Sequence, residues 1–105
     1  MTFSAGIMQT FGDFLIGDAQ LLKSINKHPF TTSATSWHFT LPALHVFMGT
    51  QERFFSELDY KQFRQKLFHS PINEQLKILN GKIVIIDNQH NVDLTTYALS
   101  RVDKD

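Results

Sequence analysis

The stretch that most constrains this chain is Lys82-Ile83-Val84-Ile85-Ile86-Asp87. Four consecutive β-branched residues lose side-chain freedom in a helix and pack well on a pleated surface, so the run reads as a strand, apolar on both faces. Asn80-Gly81 stands just before it and Asn88-Gln89-His90-Asn91 just after. The pair is a helix stop, with Gly81 expected at positive φ, and the tract is a turn. In Val92 to Val102, Thr95, Thr96 and Tyr97 favour a strand. Leu94, Tyr97, Ala98 and Val102 also match helical spacing, with Asp93 as a cap. Strand is the reading adopted, which makes a C-terminal β-hairpin.

Two helices are expected immediately upstream. Asp59 can N-cap a helix over 59–69 that turns Tyr60, Phe63 and Leu67 inward and Lys61, Gln62, Gln65 and Lys66 outward. Ser70-Pro71 marks the next start, a capping hydroxyl followed by proline in the first turn, with Ile72, Leu76 and Leu79 as the inner face of helix 71–79. Glu74 lies one position too far from Ser70 for a capping box.

The first half is helical as well. Ile7, Met8, Phe11, Phe14 and Leu15 share one face of a helix over 4–16, and Gly17 suits its stop. Asp18 suits the N-cap of a helix over 19–27 that carries Leu21, Leu22 and Ile25, and Pro29 ends it. Thr31 to Ser36 reads as a surface connection. Trp37 to Thr40 is a short aromatic strand. Pro42 fits a first helical turn before Leu44, Phe47 and Met48; Gly49 is read as the stop of that helix. Thr50 is read as the cap of another, carrying Phe54, Phe55 and Leu58. The expected fold is α+β, one mostly helical domain over 1–105 with a C-terminal β-hairpin: N-terminal helices in 1–28 and a winged-helix-like part in 37–102. One domain is what 105 residues supply.

Composition narrows the chemistry. There is no cysteine, which removes disulfides, thiolate catalysis and Cys-based metal sites. Met1 to Phe14 has no basic n-region and no run approaches a membrane span, so the expected location is cytoplasmic, with no membrane partner. His28, His38, His45, His69 and His90 show no metal-ligand spacing. Neither an activated-serine turn nor a glycine-rich phosphate loop is present. No cofactor, metal or catalytic residue is assigned, and the expectation is a non-catalytic binding module, with a small enzyme the most remote reading.

The element order helix, turn, helix, hairpin is that of a winged helix, whose second helix lies in the DNA major groove. Net charge is zero, yet residues 59–82 hold five of the ten basic side chains. The candidate nucleic-acid-binding residues are therefore Lys61, Arg64, Lys66 and Lys82 for phosphates, with Asn73, Gln75 and Lys77 for base edges. Against this, the wing tip carries no Arg or Lys, and the plainer reading of these side chains is a solvated helix face. Winged-helix units also dock proteins, so the expected partner is double-stranded DNA or, alternatively, another protein met by an interaction adaptor. Ten phenylalanines exceed what one small core obviously needs. Phe54-Phe55 and Leu67-Phe68 are adjacent on helices, so one of each pair is expected off the main apolar face. Helix 4–16 is a candidate homodimer surface through Ile7, Phe11 and Phe14.

Overall fold

The computed structural model describes residues 2–28, 30–33 and 35–102, which form six helices and a four-stranded antiparallel sheet. The first helix, α1 (Phe3–Ile16), starts where the Thr2 hydroxyl accepts from the Ala5 N–H, and stops at Gly17, whose φ of 78° suits a residue without Cβ. Asp18 then caps α2 (Ala19–Asn26) by accepting from the Leu21 N–H at 2.9 Å. Both stop and cap agree with the sequence; Pro29 lies outside the described residues.

Next come β1 (Thr31–Thr32) and β2 (Ser36–Phe39), which pair antiparallel. The segment expected to be a plain connection is thus the start of a small hairpin. The Ser33 hydroxyl turns its corner by accepting from the N–H groups of Thr35 and Ser36. The third helix, α3 (Leu41–Gln51), has Pro42 in its first turn and runs straight through Gly49 and Thr50. Gly49 is not a stop: it lies inside α3, where the one-turn α4 (Arg53–Ser56) folds back so that a Cβ on Gly49 would meet Ser56 at ordinary contact distance, 3.5 Å. Thr50 does not cap; its hydroxyl donates to the Phe47 carbonyl inside α3.

Asp59 caps α5 (Tyr60–His69) in a capping box completed by Gln62. In α6 (Ile72–Ile78) the expected Ser70 cap is absent, because the Ser70 hydroxyl turns back and donates to the Lys66 carbonyl at the end of α5. The hairpin of β3 (Gly81–Asp87) and β4 (Thr96–Arg101) ends the chain, and the sheet order is β1-β2-β4-β3. The left-handed residue before β3 is Asn80 (φ 60°), not Gly81. Gly81 is required for a different reason: a Cβ on it would stand 2.6 Å from Cδ1 of Leu15 in α1.

The inner face of the sheet carries Trp37, Phe39 and Leu99, all buried. Trp37 sits at the centre of the core, edge-on to Phe11, Phe30 and Phe47 with ring centroids 5.4–5.9 Å apart. Pairs of this geometry add about 0.5–1.5 kcal/mol each beyond area burial. Ile7, Phe11 and Phe14 point into this cluster and are buried within the chain itself. The expected homodimer face on α1 is corrected accordingly: Ile7, Phe11 and Phe14 are covered within the chain, by the core that β2, β4 and α6 share.

An apolar cleft between the helix corner and the hairpin

Seven phenylalanines are buried and two, Phe30 and Phe54, pack partly buried against them. Phe68 is the one left exposed, at 55%. It is the residue that steps off the inner face of α5, because Phe63 and Leu67 take that face. Phe68 forms one wall of a cleft of about 480 Å³. Ile85 of β3, 58% exposed, lines the same cleft. The floor is Phe39, Leu41 and Tyr97, and the α5–α6 corner (Pro71, Ile72, Asn73) closes one end. A cleft of this size is in the range that holds a small ligand or one or two bulky side chains.

Strand register says what the rim of the cleft offers. Arg101 N–H donates to Thr35 and Val102 N–H to Asn80. Alternation along β4 then directs Ala98 and Ser100 to Val84 and Lys82 of β3. That leaves the backbone groups of Ile83 and Ile85 facing off the sheet edge. The Ile83 N–H donates to Oδ1 of Asn73 at 2.8 Å, so α6 caps this half of the edge with a side chain. The outward N–H of Ile85 lies beyond that cap, just before a register shift between Ile85 and Asp87. Past Asn73 and Ile83 the cleft adjoins a second hollow lined by Lys77, Asn80, Lys82 and Val102.

A polar cluster ties the hairpin to α5. Tyr60 Oη donates to Asp93 Oδ1 at 2.5 Å, and Arg64 Nη1 donates to the same oxygen at 3.0 Å. The Arg64 guanidinium also lies 5.6 Å from the Tyr60 ring centroid. The hydrogen bond from Tyr60, followed by that from Arg64, holds the Asp93 carboxyl below the usual carboxylate range. Partial burial, then the bond to Asp93, pushes the Tyr60 phenol well above its ordinary value. Tyr97, on the cleft floor, is pushed up by burial and then by the Asp93 charge. On the other side of α5, His45 Nε2 donates to the Leu58 carbonyl at 2.8 Å.

The sequence-predicted nucleic-acid residues are dispersed. Lys61 and Lys66 are exposed on α5, but five residues of helix separate them by about 140° of rotation. Arg64 is bound to Asp93. Asn73 is occupied by the β3 edge, and Gln75 turns inward with Oε1 buried and without a hydrogen-bond partner. Lys77 and Lys82 are exposed and do come together, at the second hollow. Among the described residues no cluster of three or more His, Asp or Glu could hold a metal ion, and no helix is long and apolar enough to cross a membrane.

Sequence reasoning flagged Phe68 through the adjacency of Leu67 and Phe68. It missed Asn73 as an edge cap and the Tyr60–Arg64–Asp93 cluster, whose members are 29 and 33 residues apart and leave no local signal. Compared with known proteins, the chain matches no family model, no curated protein and no solved structure.

Proposed function

We propose that this chain is a non-catalytic protein-binding module that holds a segment of a partner protein in the cleft between Phe68 and Ile85. The observation that carries the reading is that the one exposed phenylalanine and an exposed isoleucine line the same hollow, together with Phe39, Leu41 and Tyr97. Clustered apolar exposure of this kind marks interaction sites, whereas scattered exposed residues do not. Each wall side chain is about half exposed, so covering both gains on the order of 2 kcal/mol. That is enough to anchor a complex whose remaining contacts are polar. The outward N–H of Ile85 adds a backbone donor for an extended segment.

Panning a random twelve-residue peptide library displayed on phage against the immobilised chain tests this. Enrichment should be strong on the wild type and lost on Ile85→Glu and Phe68→Glu. Both positions are solvent-exposed, so neither change disturbs the core. Equal recovery from all three proteins would refute the cleft as the binding site.

A second reading, contact with double-stranded DNA, is favoured by one observation. The α5–α6 corner is followed by a hairpin in which β4 lies between β3 and β2, an order that supports a winged-helix-like second half. The side chains it would use are Lys61, Lys66, Lys77 and Lys82. Mobility-shift titration of mixed-sequence duplex tests it: a log–log salt slope of about −3 to −4 is expected if these four meet phosphates. No shift at low salt would end this reading.

A further inference from the structure

Given that the cleft binds a protein segment, we infer that its partner segment is extended and acidic, with one bulky apolar residue and one carboxylate about three residues apart. The inference rests on that reading and adds the partner's chemistry to it. The apolar cleft and the second hollow share Asn73 and Ile83, so they are two halves of one surface that meet at the Asn73–Ile83 hydrogen bond.

The halves differ in character. The first is apolar, walled by Phe68 and Ile85. The second brings Lys77 of α6 and Lys82 of β3 together, and neither forms an ion pair among the described residues. Other basic side chains of the 59–82 segment are placed elsewhere: Arg64 is neutralised by Asp93, and Lys61 and Lys66 lie on α5. Two ammonium groups that line one hollow, neither in an ion pair among the described residues, are complementary to a carboxylate.

Orientation and spacing follow from the same residues. Glu74 lines the apolar half and repels a carboxylate there, so the acid belongs at the lysine end. Ile85 and Lys82 are three residues apart on β3, about 10 Å in an extended strand. A segment that crosses over the Asn73–Ile83 hydrogen bond spans this distance in about three extended residues, which sets the separation of its apolar anchor from its acid. Across the middle, Asn73 spends Oδ1 on the Ile83 N–H, which leaves its Nδ2 group to donate to an incoming carbonyl. The outward N–H of Ile85 serves the partner backbone beside the anchor.

The same displayed peptide library separates this inference from the reading beneath it. Peptides selected on the wild type should carry Leu, Ile, Met or an aromatic residue with Asp or Glu two to four positions away. On the Lys77→Glu/Lys82→Glu double variant the apolar residue should persist and the acid should give way to Lys or Arg. A synthetic peptide of the selected sequence should bind the double variant about tenfold more weakly, and its affinity for the wild type should fall with salt. Apolar enrichment with no acidic preference, or with an unchanged preference on the double variant, overturns the inference and leaves the cleft standing. No enrichment above the Ile85→Glu control overturns both.

Discussion

Replacing Gly81 with alanine tests the contact that seats β3 against α1. Gly81 does not have positive φ, so the backbone accepts alanine. Losing glycine's freedom in the unfolded chain then favours the folded state by about 0.4–1 kcal/mol. Opposing this, the new methyl would stand 2.6 Å from Leu15 Cδ1 and 3.3 Å from Cδ2. Leu15 is 6% exposed and has little room to move, so the overlap costs about 1–3 kcal/mol. The net effect of Gly81→Ala is a loss of about 1–2 kcal/mol. Leu15→Ala alone leaves a cavity and costs about 2–5 kcal/mol. In the Leu15→Ala background the added methyl enters vacated space, and Gly81→Ala becomes neutral or stabilising. Urea unfolding of the four proteins measures the coupling, expected at about 1.5–2.5 kcal/mol with unchanged m-values. Additivity within about 0.5 kcal/mol would show that Gly81 and Leu15 do not meet, and the packing of β3 on α1 would have to be redrawn.

Further outcomes follow from the core and the polar cluster. Phe11→Asp should unfold the chain, because Phe11 is wholly buried among Trp37 and Phe39 and a carboxylate there has no partner. Loss of the far-ultraviolet circular dichroism signal checks this, and a folded monomer would contradict the core assignment. Asp93 is held below its ordinary pKa in the folded chain, so its contribution is present above about pH 4 and is lost as pH falls through the folded value. Asp93→Asn should therefore flatten the pH dependence of the melting temperature below about pH 4; an unaltered acid limb would rule out the Tyr60–Arg64–Asp93 cluster as a stabilising link.

Elements with a clear period could be read from the sequence: α1, α2 and α5 from their apolar stripes, β3 from its β-branched run, β2 from Trp37 and its neighbours. What could not be read depends on distant partners. Thr31–Thr32 lies in a Thr- and Ser-rich tract and becomes a strand only because Trp37 and His38 pair with it. Gly49 resembles a helix stop until Ser56 packs against it. Asn80, not Gly81, takes the left-handed conformation, and the close approach of Gly81 to Leu15, 66 residues away, could not be read locally. The apolar stripe of α1 was legible, but nothing in a stripe tells whether its cover is intramolecular. Of the candidate site, adjacency on α5 pointed to Phe68, while Ile85 counted only as part of a strand. Their meeting across a cleft is set by the turn at Ser70-Pro71 and the register of β3 on β4.

The cleft itself is most directly tested by amide chemical-shift mapping of the isotopically labelled chain with N-acetyl-phenylalaninamide as a bulky apolar probe at millimolar concentration. The account predicts saturable shifts confined to Phe39–Leu41, Leu67–Glu74, Ile83–Ile85 and Tyr97, absent in Ile85→Glu. Shifts centred on α2 or on the β1–β2 corner, or shifts unchanged in the variant, would contradict it.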